Sequence, residues 1–428
     1  MEVFLYLLNA LLICGLISLL YRNPGLQSIK KHLLPALVLK LLAGILLGLL
    51  YHHYYHEGDT LTFKNASLIL SEYALQNPAG YVKLILFNEF ESEAFRATVP
   101  FSRLPDFSNS FFFTKLLSLL NLLTNSQYYL NSLYFSLFSF WGTAALVATL
   151  VKHFPKYKSA AMLAFLYFPS VVFWSSGVLK DAILFGSMCW VFAVAVELSE
   201  GKRLRILNWL LLPFILYLFI RIKFFLALIL LPLLVLFLLI RFIAKRSGSL
   251  KQIKSQIAVL LIGFSALALV GLYLAVNIND AFFLRNLVYT YEGILELSQE
   301  RPHISFSSLE PTVGSILVNA PKAFLSAVFR PFIWEAVNVL YLLMSLENLL
   351  ILALAILATF SLFKNGLKQI TLLQVCFVLM IICFGVIIGL TTPNFGTLSR
   401  YRIVLLPFLV YLLLQNQYIH KLLAKLRL

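Results

Sequence analysis

Two carboxylates and a scatter of basic residues give this 428-residue chain its candidate chemistry. Lys180 and Asp181 stand between two long apolar runs, in FPSVVFWSSGVLKDAILF over residues 168 to 185. An ionisable pair at such a boundary either anchors a helix end at the membrane surface or serves a site, because burying it for nothing is costly. Glu57 and Asp59 stand in YHHYYHEGDTLTF, directly after another apolar run. One carboxylate that takes the proton of a hydroxyl, and a second that orients it, is the arrangement of general-base catalysis, with Asp59 and Asp181 as candidates. Lys180, Arg221, Lys223, Arg330, Arg400 and Arg402 lie near the ends of apolar runs. Guanidinium and ammonium groups there can hold a phosphate and offset the charge of a leaving group. Glu335, close to Arg330, joins the binding candidates. Glu347 lies well inside an apolar run, where a carboxylate costs roughly 2.5 to 3.5 kcal/mol, so it calls for a partner or a wet cavity.

Other chemistries are weaker. No Ser-His-Asp order and no phosphate-cradling glycine loop occurs, and no cofactor is expected. A divalent metal held by His56, Glu57 and Asp59 is an alternative, but a YHHYYH run at a membrane boundary is more often interfacial.

The elements that must position these residues are membrane helices. With 61% hydrophobic residues, 12% charged residues and a mean hydropathy of +0.90, the chain exceeds what a soluble core absorbs. It reads as one all-α membrane domain over 1–428, with about 11 spans: 3–21, 33–51, 128–151, 158–174, 178–198, 207–220, 224–243, 256–276, 337–363, 371–391 and 401–416. The first is expected to be a retained helix, since no basic residue precedes it and no small-residue cleavage site follows. Segment 111–123 is too short to span and suits an interfacial helix. The net charge of +16 does not point to nucleic acid, because the basic residues sit in short loops rather than in one patch. Cys14, Cys189, Cys376 and Cys383 all fall in apolar runs, against disulfides or a thiolate zinc site.

Alternate connections carry the basic residues, from Arg22, Lys30 and Lys31, through the run of Arg241 to Lys254, to Lys364 with Lys368 and Lys421 with Arg427. The positive-inside rule makes these cytoplasmic, with the N-terminus outside and the C-terminus inside. The external side then holds two long loops, 52–127 and 277–336, containing the amphipathic stretches Leu61 to Leu75 and Asn286 to Leu297. No internal repeat is visible, which lowers a secondary-transporter reading.

These residues resemble a known group. An acidic residue in a first large external loop and a second one opening a later helix are similar to the GT-C superfamily of polyprenyl-phosphate-sugar glycosyltransferases. The likeness is to its protein mannosyltransferase and aminoarabinose transferase branches. Pro169, Ser175, Ser176 and Asp181 look like the motif at that later helix, and Asp59 looks like the first-loop acid. The run SRYRIVLLPFLVYLL, residues 399 to 413, is similar to the Arg-Tyr and Pro segment near the end of those proteins. The blocks GDT, FPSxxFWSSGxLKD, RPFxWEA and NFGTLxRYR look like those of bacterial membrane proteins of surface polysaccharide assembly. Gly58-Asp59-Thr60 replaces the usual paired Asp-Glu.

The resemblance implies a transferase in the bacterial inner (cytoplasmic) membrane. It would take sugar from a polyprenyl-phosphate donor and pass it to a glycan, lipid or protein acceptor in cell-envelope assembly, with membrane lipid as its surroundings. Two alternatives stay open: a surface polysaccharide polymerase or ligase, and a lipid-linked or anionic solute transporter or flippase.

Overall fold

The apolar runs fold as helices, and several helices of the chain start on capping residues. Asn77 accepts a hydrogen bond from the Gly80 amide at 2.9 Å, with Pro78 at the first helical position, and Ser108 accepts from the Phe111 amide at 3.0 Å. Thr371 and Gln374 form a reciprocal capping box. The computed structural model describes residues 2–246, 250–277, 281–365 and 370–425; Lys368 and Arg427 lie outside these.

In chain order the helices are α1 (Glu2–Arg22), α2 (Lys30–Leu50), α3 (Asp59–Gln76), α4 (Pro78–Phe87), α5 (Glu93–Thr98), α6 (Asn109–Thr124) and α7 (Tyr128–His153). Then come α8 (Lys158–Met162), α9 (Pro169–Trp174), α10 (Lys180–Ser199), α11 (Ile206–Ile222), α12 (Phe224–Arg246), α13 (Ile253–Asn277) and α14 (Phe282–Glu296). The remainder are α15 (Val313–Phe329), α16 (Val339–Asn365), α17 (Leu372–Thr391), α18 (Phe395–Tyr401), α19 (Leu406–Leu413) and α20 (Gln417–Lys425). Among the described residues there is no β-strand, only an isolated antiparallel bridge between His303 and Asn394.

The fold is therefore all-helical, and among the described residues eight helices are long and apolar enough to cross a membrane. They are α1, the run Pro24–Tyr55 that contains α2, and α7, α10, α12, α13, α16 and α17. The other three expected spans take different forms. Segment 158–174 is broken by Pro169, which follows a wide π-helical turn over Leu163–Tyr167. Segment 207–220 lies in α11, a 17-residue helix. Segment 401–416 bends by 68° between Phe395–Val404 and α19, where Pro407 cannot donate to the preceding turn.

Two compact units make up the chain: Met1–Pro155 with Val172–Val194 and Leu204–Ala227, and Lys156–Val171 with Ala195–Arg203 and Leu228–Leu428. In the first unit α2 packs on α7 closely enough that a Cβ on Gly44 would overlap the Ser136 hydroxyl. Glycines also let α7 meet α10, because a Cβ on Gly142 would overlap the Gly186 carbonyl. Small residues at such crossings are how apolar helices approach within a membrane.

Segment 111–123, expected as an interfacial helix, forms the middle of α6 and packs on α3 in the first unit. Ser118 and Asn121 are buried, while Leu119, Leu122 and Leu123 are exposed. Asn121 donates to Ser67 at 2.9 Å and to Ser71 at 3.1 Å, accepts from Asn131 at 2.7 Å, and Tyr81 bonds Ser118 at 2.9 Å. The buried face of α6 thus combines these mutually bonded polar groups with Phe111, Phe113 and Leu117, while Leu119, Leu122 and Leu123 stay exposed.

In the second unit α17 lies along α15, and a Cβ on Gly389 would overlap the Ala323 carbonyl.

Candidate functional site

In the first unit both candidate carboxylates open helices. Gly58 has φ of +113°, a conformation that favours glycine, and its carbonyl accepts the amides of Leu61 and Thr62, so that Asp59 becomes the first residue of α3. Thr60 then pins that end to α7 through a 2.7 Å bond to the Tyr128 hydroxyl. Asp59 is half-buried.

The second carboxylate follows the turn Ser175-Ser176-Gly177. Ser176 donates to the Val172 carbonyl at 2.6 Å, and Gly177, at φ of +75°, donates its amide to Ser136 at 2.9 Å. The buried Lys40 ammonium of α2 bonds the Ser175 hydroxyl. The chain emerges from this turn into α10, with Lys180 and Asp181 in the first turn and both buried. A carboxylate in a first helical turn is favoured by the unsatisfied amides there, and this holds for Asp59 and Asp181 alike.

Lys180 links the pieces. Its ammonium donates to the Asn109 side-chain carbonyl and to the Ser110 hydroxyl, both at 3.1 Å, and lies 5.7 Å from the centre of the Phe63 ring. Phe63 stands four residues after Asp59 on α3, so the two share a helix face. The starts of α3, α6 and α10 therefore gather around one ammonium group. Asn109 also donates to the Ile222 carbonyl at 3.0 Å, drawing in the end of α11.

Arg221 stands at that end, half-buried, over the Phe112 ring at 5.3 Å, and donates to the Asp106 backbone carbonyl at 2.5 Å. Lys223 is the half-buried residue just beyond. Lys115, one turn along α6 from Phe112, is buried and donates to the Ile85 carbonyl at 3.0 Å and to Asn88 at 2.6 Å. Burial, and then the nearby Arg221 charge, lower its pKa to about 8, against a smaller opposing pull from Asp106.

The second unit holds the remaining candidate arginines, of which Arg330 and Arg402 are engaged with carboxylates. Arg330 makes a two-toothed contact with Glu335, its Nε 3.0 and 3.2 Å from the two oxygens, and lies 4.8 Å from the Phe395 ring centre. Arg402, fully buried, donates to Asn348 at 2.6 Å and lies 3.5 Å from Glu347. Glu347 also accepts the Ser170 hydroxyl at 2.5 Å and the Ser170 amide at 3.1 Å. Arg400 is buried beside Tyr401, 5.0 Å from its ring centre.

His56 and Glu57 are exposed ahead of Asp59, and among the described residues no group of three or more His, Cys, Asp or Glu could hold a metal ion. Asn109, Ser110, Lys115, Ser170 and Asn348 were not marked as candidates by the sequence. Only the SNS triplet ahead of three phenylalanines, a helix-start signal, pointed toward Asn109 and Ser110. Comparison with known protein families, curated proteins and solved structures finds no match.

Proposed function

We propose that the chain is an integral membrane glycosyltransferase that takes a sugar from a polyprenyl-phosphate donor and passes it to a glycan, lipid or protein acceptor in cell-surface assembly. The observation that carries this reading is the start of α3 beside the start of α10. Asp59 and Asp181 each open a helix of the same unit, and Lys180 lies over Phe63, one turn from Asp59. In the proposal Asp59 takes the proton of the acceptor hydroxyl as that oxygen attacks the anomeric carbon, Asp181 orients the acceptor, and the lipid phosphate leaves with inversion.

The proposed setting is a bacterial cytoplasmic membrane, with the N-terminus outside and the C-terminus in the cytoplasm. About eleven helices cross it once α11, the broken segment 158–174 and the bent pair near the C-terminus are included. The helices of 52–127 and 277–336 lie on the external side.

The test measures sugar transfer from a polyprenyl-phosphate-linked donor by purified protein in lipid, for the wild type, Asp59→Asn and Asp181→Asn. Loss in both supports the assignment, and full transfer by both variants sinks it. A polymerase that relies on Arg330, Arg400 and Arg402 is less favoured, because the guanidinium groups of Arg330 and Arg402 are engaged with carboxylates. A transporter or flippase draws support from Lys40 and Glu347, buried or nearly so in helices of spanning character, and from the buried Arg402 in the bent pair near the C-terminus. Movement of an unaltered lipid-linked substrate across proteoliposomes would establish it.

A further inference from the structure

Among the described residues, neither Arg221 nor Lys115 makes a salt bridge to a carboxylate. Their meeting point is Asp106, but its groups are turned so that neither cation pairs with the carboxylate. Arg221 takes the backbone carbonyl at 2.5 Å, and the side-chain oxygen accepts the Asn88 amide at 2.6 Å. Asn88 in turn uses its own carbonyl for the Lys115 ammonium, at 2.6 Å. The Nε of Arg221 is buried without a hydrogen-bond partner among the described residues. Arg221 of α11 and the buried Lys115 of α6 are thus linked through Asp106 and Asn88, and they lie over the rings of neighbouring residues, Phe112 for Arg221 and Phe111 for Lys115. Holding them so costs free energy in the empty state, and a doubly charged oxyanion between them would recover it.

We propose that Arg221 and Lys115 form an oxyanion subsite on the first unit for a phosphate or diphosphate group. Its place in the chemistry rests on the transferase reading, where it takes the phosphate of the polyprenyl carrier. The subsite adds Lys115 and moves phosphate recognition away from Arg330 and Arg402, whose guanidinium groups already meet Glu335 and Glu347. The near end of α11 carries Arg221 two residues before Lys223, and Asn109 ties that end to Lys180. A phosphate at Arg221 is thus connected through one side chain to the residue beside Asp181. Anion binding favours protonated Lys115, so affinity falls as pH rises past about 8; the charged groups facing Lys115 are Arg221 and Asp106.

The experiment measures binding of farnesyl phosphate, farnesol and inorganic pyrophosphate to the purified full chain in nanodiscs by calorimetry, without any transfer step. Farnesyl phosphate is expected to bind and farnesol to bind more weakly. Arg221→Gln and Lys115→Gln should each weaken farnesyl phosphate by roughly ten- to a hundredfold, and Arg221→Lys by less. Arg103→Gln, an exposed site of the same unit, should leave binding unchanged. Competition by pyrophosphate identifies a headgroup site open to free anions; its absence, with the two Gln variants still impaired, assigns the subsite to the lipid-borne phosphate. Equal affinity for farnesol and farnesyl phosphate overturns the proposal, as does wild-type affinity in both Gln variants with unchanged thermal unfolding. If the variants lose binding while the wild type transfers no sugar, the subsite stands and the transferase reading fails.

Discussion

The hydroxyl of Ser170 donates to the carboxylate of Glu347 at 2.5 Å across 177 residues of sequence, while Arg402 approaches the same oxygen at 3.5 Å. A carboxylate in a long apolar helix is tolerated because a serine hydroxyl, a backbone amide and a guanidinium converge on it.

Removing both sides of this arrangement should therefore cost less than the two separate removals added together. Arg402→Met leaves a nearly buried carboxylate without its cation, and a loss of roughly 3 to 5 kcal/mol is expected. The double variant Arg402→Met with Glu347→Gln should lose less than the sum of the two single changes. Thermal unfolding of detergent-solubilised protein, followed by near-ultraviolet circular dichroism, reads both. Additive losses would show that the pair is not coupled.

What the sequence could not see here is distance along the chain. The apolar runs were legible because hydropathy is a local sum, and eight of the expected spans lie in helices of spanning length and composition. The interruptions at Pro169 and Pro407 were legible in principle, since each proline removes a donor, but the apolar character around them outweighed that signal. Glu347 announced its need for a partner without naming Ser170. Arg330 and Glu335 were both selected as substrate binders, yet five residues apart they bind each other. The inward Asn121 of α6 was unreadable for another reason: its amide is buried by bonds to Ser67 and Ser71 of α3 and Asn131 of α7, pairings that hydropathy does not register.

For the carboxylates, Asp59→Asn keeps the size of the side chain and removes its basicity. A fall in turnover of about a hundred- to ten-thousandfold is expected in the sugar-transfer assay, the range for loss of a general base. Asp181→Asn, if it orients the acceptor, should raise KM for the acceptor as well as lower turnover. Identical kinetic changes in the two variants would contradict separate roles.

The glycine crossings give a stability test independent of function. Gly142→Ala puts a methyl group onto the Gly186 carbonyl between α7 and α10, and Gly389→Ala does the same at the Ala323 carbonyl between α15 and α17. Backbone cannot yield as a flexible side chain does, so each should cost about 1 to 3 kcal/mol or more. Gly271→Ala, where a Cβ meets nothing within 4 Å, is the control, and no loss is expected. Unfolding midpoints of the three variants in one detergent decide it.

Lys115 supplies the pH dependence. Its pKa is lowered from 10.5 to about 8 in the folded protein, first by burial and then by Arg221. Below pH 8 the group is protonated whether the chain is folded or not, and the penalty for its buried charge is fully present. Between pH 8 and 10.5 the unfolded chain holds the proton while the folded chain releases it, so this residue's contribution makes stability rise with pH across that window. In Lys115→Met that rise should be absent, leaving a flatter profile from pH 8 to 10 and higher stability at neutral pH. Adding farnesyl phosphate to the wild type at pH 7.5 should also stabilise it, because the bound anion offsets the buried positive charge. A wild-type profile that matches Lys115→Met between pH 8 and 10 would mean that the ammonium pays no such penalty.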